Sequence, residues 1–188
     1  MGFDERRRSV ITDLTKAADD ARSEFGALST AQLNWKPGEK SWSVAQCFDH
    51  LITTHSLYFP LFQDLAKGER NTSFFERYSP LSGFFGRFLI NSLRPENVKK
   101  MKTTSKAEPS SSQIDGEVIE RFVVHQHQLM NHIDALSANI DLEKTMVTSP
   151  LLSIVTYSLD DCFTILVVHC QRHLGQAKRV TETAGFPT

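Results

Sequence analysis

Neither sign of charge dominates this chain: 21 Lys and Arg stand against 22 Asp and Glu along 188 residues. The pI is about 6.7, and acids and bases are interspersed. No broad basic face is implied, which argues against a nucleic-acid partner. Cysteine is scarce. Cys47, Cys162 and Cys170 are an odd number within apolar helical patterns, which speaks against a disulfide framework. No apolar run approaches the roughly 20 residues of a membrane span. The opening Met-Gly-Phe-Asp-Glu-Arg-Arg-Arg is charged and leads into an amphipathic segment without a signal-peptide core. A soluble, cytoplasmic chain with no membrane contact is the expectation. Also missing are a Gly-rich phosphate loop, a Ser-His-Asp context, a Cys-x-x-Cys metal motif and any internal repeat.

What the chain does have is helical periodicity. Val10, Leu14, Ala17, Ala21, Phe25 and Leu28 recur every three or four residues and predict an amphipathic helix over 4–28. Pro37-Gly38 marks a turn. Ser43 followed by Gln46 reads as a capping box, with Trp42 and Cys47 at the flanking positions of a hydrophobic staple. A second helix therefore starts at Ser43, with its apolar stripe on Cys47, Leu51, Thr54, Tyr58, Leu61 and Leu65. Pro60 predicts a kink or an irregular turn in it, because it lacks a main-chain donor. Val118, Phe122, His125, Leu129, Ile133 and Leu136 mark a third helix over about 112–136. Leu159, Cys162, Phe163, Leu166, Cys170, Leu174, Ala177 and Val180 mark a last one. Four such helices joined by unequal connections predict an all-α fold, a four-helix bundle. A length of 188 residues suits one domain with an insertion at about 68–112.

The insertion is rich in phenylalanine. Phe74-Phe75 and Phe84-Phe85 form two clusters, with Tyr78 and Phe88 nearby. Leu81–Leu93 reads as a short apolar helix that caps the bundle's open end or lines a pocket, in preference to a membrane-surface element; Gly83 and Gly86 weaken its helicity. Lys99, Lys100, Lys102 and Lys106 read as a solvated basic loop, and 108–113 as a flexible linker. The long connection 139–157 carries Ser149-Pro150.

His169 and His173 lie four apart on the inward face of the last helix, about 5–6 Å apart at Cβ. They are either core-edge histidines bonded to their neighbours or two ligands of one metal ion, and a metal site needs a third ligand from elsewhere. Other histidines are placed by the same periodicity. His50 falls about two turns into the second helix, on the edge of its stripe. His55 turns about 140° away from His50 around that helix and is not expected to share its metal. On the third helix His125 fits the inner stripe, as a packed core group in preference to a substrate-facing one, and His127 falls outside.

The run from Leu28 to Leu51 resembles the opening signature of the DinB-like (YfiT-type) family of metal-dependent enzymes. There a leucine-serine-x-x-x-leucine segment precedes a Trp-Ser-capped helix that carries a metal histidine. The family's second mark is a His-x-x-x-His near the end of the last helix followed by Gln, which here reads His169-Cys-Gln-Arg-His173-Leu-Gly-Gln176. The resemblance spans both ends of the chain, in the right order. It implies a metal site with His50, His169 and His173 as ligands, closed in part by Leu151–Tyr157. Three imidazoles from two buried faces leave coordination positions open, as in a reactive rather than a structural site. The implied ion is divalent, zinc or nickel foremost, with iron or manganese as alternatives. The family includes thiol-dependent S-transferases and a mycothiol-dependent maleylpyruvate isomerase. The resemblance therefore implies a transferase that activates a low-molecular-weight thiol toward a small-molecule substrate. A metal-dependent hydrolase and a non-catalytic metal-binding stress-response protein are the alternatives. A homodimer is expected from the Phe-rich insertion and from the resemblance. The pocket is expected beneath 34–41, with Trp35 and Trp42 as its walls.

Overall fold

A computed structural model describes residues 2–69, 76, 82–97, 107–109 and 113–188. Helix α1 (Phe3–Phe25) buries Val10, Leu14, Ala17, Ala18, Ala21 and Phe25, the face its periodicity requires. A short α2 (Thr30–Asn34) follows, closed by a capping box between Ser29 and Gln32. α3 (Val44–Ser56) starts at the second capping box. There the Gln46 N–H donates to Ser43 Oγ at 3.2 Å, and the Ser43 N–H to Gln46 Oε1 at 3.3 Å.

The helix beyond His50 does not kink at Pro60. It ends at Ser56, and α4 (Phe59–Lys67) begins after a turn with Pro60 in its first turn, where a missing N–H leaves no bond unmade. α4 stops on Gly68, whose φ of 69° glycine adopts without a Cβ clash.

α5 (Ser82–Leu93) is helical through Gly83 and Gly86. Packing overrides propensity here: a Cβ on Gly86 would stand 2.1 Å from Asp161 Oδ2, so glycine permits α5 to approach the last helix. Phe74, Phe75, Tyr78 and the four lysines at 99–106 lie outside the described residues.

α6 (Val118–Asp134) begins later than the expected 112. The backbone before it is committed elsewhere. Asn34 Nδ2 donates to the Ile114 carbonyl at 2.7 Å, and the Ile114 N–H donates to Asn34 Oδ1 at 2.8 Å. Asp115 Oδ1 then accepts the Glu117 N–H, an Asx-type turn.

The long connection 139–157 contains a small antiparallel hairpin of β1 (Met146–Thr148) and β2 (Thr156–Ser158), with Val147 opposite Tyr157. Ser158 ends the hairpin and N-caps α7 (Leu159–Thr181), its side chain accepting the Asp161 N–H at 3.0 Å.

In the bundle, α1 and α3 each pack against both α6 and α7, while α5 lies on α7 and β2. Phe25, Phe48 and Phe122 meet edge to face at its centre, with centroids 5.3 and 5.0 Å apart. The fold is all-α apart from the hairpin. Among the described residues no helix is long and apolar enough to cross a membrane.

Candidate metal centre

Two helices deliver three histidines to one point. His50 lies on α3, and His169 and His173 lie on one face of α7. One ring nitrogen from each lies within 4.8 Å of the others. His50 Nε2 and His169 Nε2 are 3.0 Å apart, close to the roughly 3–3.5 Å that separates two nitrogens each ~2 Å from one zinc ion. The rings are 5%, 9% and 7% exposed, so they are held by packing rather than left free in solvent.

Burial also sets their charge. Desolvation lowers the pKa of His50, and it holds those of His169 and His173 well below the ordinary range. A metal requires neutral imidazoles with a free lone pair, and these three are neutral at neutral pH.

Their proton positions follow from their partners. His50 Nδ1 faces the Ala107 carbonyl at 2.5 Å. A carbonyl only accepts, so Nδ1 carries the proton and Nε2 presents a lone pair. His169 Nδ1 faces His55 Nε2 at 3.2 Å. Without an ion, one donor chain links three of the four rings: His55 Nε2–H to His169 Nδ1, His169 Nε2–H to His50 Nε2, and His50 Nδ1–H to Ala107. With an ion, His169 carries its proton on Nδ1 and donates it to His55 Nε2, which bares Nε2 beside that of His50. The residues fit a metal in this second arrangement, because His50 and His169 each keep a partner for the other nitrogen, while His173 Nδ1 has none among the described residues.

His55 thus has a part that its position on α3 alone did not reveal. It is fully buried and does not join the three, but its Nε2 meets His169 Nδ1 and holds that ring's orientation in either tautomer. The signal that would have found it is the need of a ligand histidine for a partner at its second nitrogen. His125 is a packed core histidine: its ring stacks on Phe59 at 5.0 Å and its Nε2 lies 2.9 Å from Ser56 Oγ. His127 is exposed, and the His132 ring packs on Phe59 at 4.5 Å.

A cavity of about 520 Å³ opens beside the cluster, within the usual range for small-molecule sites. Pro37, Lys40 and Ser41 from the loop before α3 form one edge, and Leu151 and Leu152 from the connection before α7 form another. Trp42 lines it, stacked on His173 at 5.7 Å and tilted against His50 at 4.9 Å. Trp35 does not line it. Its ring packs on Phe186 at 5.5 Å, so of the two tryptophans only Trp42 forms a wall. α5 contributes Leu89 and Leu93, while its Phe84 and Phe88 point outward, 59% and 54% exposed. Tyr58 lines the cavity and shares a 2.8 Å hydroxyl contact with Tyr157.

The sequence model of the DinB superfamily matches residues 13–177, a range that includes all three histidines. No curated protein and no solved structure matches the chain.

Proposed function

The chain belongs to the DinB superfamily, and on that premise we propose that it is a metal-dependent enzyme, a thiol-dependent S-transferase. His50, His169 and His173 hold the ion, zinc or nickel in preference to iron or manganese. The observation that carries this reading is the pair of Nε2 atoms 3.0 Å apart at the wall of an open cavity. When bound, the ion supplies a positive charge that lowers the pKa of a thiol entering from that cavity.

The chain's own residues do the rest. The Ala107 carbonyl fixes the tautomer of His50, His55 orients the His169 ring, and Trp42 holds the rings of His50 and His173 by contact. Leu89, Leu93 and Ile165 give the substrate an apolar wall that excludes water. In the reaction the thiol sulfur forms a bond to an electrophilic carbon, and its proton passes to solvent. The leaving group departs with the electron pair of the broken bond.

Two further features support an external thiol over water or a protein thiol as nucleophile. Cys47, Cys162 and Cys170 are all buried, and burial pushes the Cys47 and Cys170 thiols far up. The described cavity lining has no Asp or Glu, the groups that serve as general base in many metal hydrolases. Thiol attack needs no such base once the thiolate has formed.

The test is metal analysis of the purified protein, followed by a screen of small thiols against alkyl and aryl halides with the metal-loaded chain. Metal-dependent consumption of thiol and electrophile together is the expected result. Electrophile consumed at a rate independent of thiol would replace this reading with a hydrolase. Metal binding without any turnover would replace it with a binding protein. His50→Ala, His169→Ala and His173→Ala should each lower metal occupancy sharply, and His127→Ala should not; unchanged occupancy in all three would remove the site.

A further inference from the structure

The charge around the cavity is one-sided. Lys40, Arg172 and Arg179 line it, and no Asp or Glu does. The residues outside the description cannot supply the missing counter-charge, because none of them is Asp or Glu: 70–75, 77–81, 98–106 and 110–112 hold only neutral or basic residues. The buried histidines are neutral and do not offset it either. Three cations thus face one space against no anion.

Their placement is not accidental scatter. Arg172, Gln176 and Arg179 recur at i, i+4 and i+7 along α7, a row flanking the face of His169 and His173, with Thr183 just past the helix end. At about 1.5 Å per residue the row extends roughly 9 Å beyond His173 to Arg179. Arg172 is held in place by the end of α5 and the turn after it, where its Nη1 donates to the carbonyls of Ser92 at 3.2 Å, Arg94 at 3.4 Å, and Asn97. Neither Arg179 nor Lys40 makes a side-chain hydrogen bond or ion pair among the described residues. Arg172 and Arg179 are close enough for Arg179 to depress the Arg172 pKa, behind the larger effect of burial. Arg179 and Lys40, like charges on the wall of one cavity and without a side-chain partner among the described residues, are stabilised by an anion between them.

We infer that this cavity binds a small organic anion, with a carboxylate held by Arg179 and Lys40 at one end and an apolar body against Pro37, Trp42 and Val180. The far end of the molecule then reaches the histidine cluster. A guanidinium matches a carboxylate in geometry as well as charge. This deepens the substrate reading above and rests on it for the identity of the occupant, but not for its binding. The carboxylate belongs either to the thiol or to the electrophile.

Binding is tested on the metal-stripped full chain by calorimetry with 4-phenylbutyrate and its amide, which share a body and differ in charge. The carboxylate should bind about tenfold tighter, the size of one charge-assisted contact. That ratio should fall toward one in Arg179→Gln and in Lys40→Gln, and stay unchanged in Lys144→Gln, whose ammonium pairs with Asp141 away from the cavity. Equal affinity for the two probes in the parent chain overturns the inference. So does an undiminished ratio in both Arg179→Gln and Lys40→Gln.

Turnover by the metal-loaded chain then assigns the source. One arm compares 3-mercaptopropionate with 3-mercaptopropionamide against a neutral aryl halide. The other compares 4-(chloromethyl)benzoate with its amide against 2-mercaptoethanol. The arm with an Arg179-dependent preference names the partner that carries the acid. Absence of turnover in both arms refutes the transferase and leaves the binding result to decide the anion site.

Discussion

Acid should loosen this bundle through His125, and the size of the effect can be worked out. Ser56 Oγ donates to the Ile52 carbonyl at 2.8 Å, so it accepts from His125 Nε2–H at 2.9 Å. That leaves His125 Nδ1 as a bare lone pair, buried without a partner. Protonation would place an N–H there with no acceptor and a charge in an apolar core. Burial first, and the nearby His132 second, lower this pKa from 6.5 to about 4. The unfolded chain therefore binds the proton more readily, and stability rises with pH. The contribution is complete above the unfolded value and is lost as pH falls from 6.5 toward about 4. One histidine accounts for about 1.4 kcal/mol lost near pH 5.5, levelling off at about 3 kcal/mol below the folded value. Against a typical total of roughly 5–15 kcal/mol, that is a measurable fraction. His55, His169 and His173 are held well below the ordinary range as well, chiefly by burial, and they act in the same direction.

The assay is urea unfolding of metal-free protein from near pH 7.5 to near pH 5, comparing the parent chain with His125→Gln. Glutamine keeps a donor for Ser56 and cannot be protonated. The histidines that do not face His125 contribute equally to both proteins and cancel, while its coupling to His55 and His132 belongs to the difference being measured. The parent should lose about 1 kcal/mol more than the variant between pH 7 and 5.5. Parallel curves would refute the assignment of a buried neutral imidazole at this position.

Four further outcomes are expected. Gly86→Ala should cost about 1–3 kcal/mol of stability by overpacking, more than alanine's gain in helix propensity of up to ~1 kcal/mol; the cost should shrink when Asp161→Gly accompanies it. Trp42→Ala should impair metal retention and turnover. Trp35→Ala should lower melting temperature, by about 2 kcal/mol of stability, while the folded fraction keeps its activity. Sedimentation at micromolar concentration should give a dimer, for which the exposed Phe84 and Phe88 supply apolar surface; a monomer there would remove that expectation.

The parts of this fold that were legible in sequence depend on local chemistry. The spacing of Val10, Leu14, Ala17, Ala21 and Phe25 gave α1, and Ser43 with Gln46 gave the start of α3, because each signal acts within a few residues. The hairpin was not legible: strands of three residues, Met146–Thr148 and Thr156–Ser158, are too short to establish an alternation. The start of α6 was misjudged because Asn34, 80 positions away from Ile114, takes up the backbone there.

The candidate site divides along the same line. His169 and His173 announce themselves by their spacing on one helix, but His50 is 119 positions from His169, and only the family resemblance joined them beforehand. Their supporting partners had no such signal. Ala107 acts through its main-chain carbonyl, which every residue has. His55 turns about 140° from His50 around α3, which separates two ligands of one ion but not two partners of one ring. The His169 imidazole has nitrogens on opposite edges, and it meets His50 with Nε2 and His55 with Nδ1. The angle that excludes His55 from the cluster is the angle that places it behind His169. A ligand histidine is therefore found from residue type and spacing, whereas the group behind its second nitrogen is found only once the packing of α3 against α7 is known.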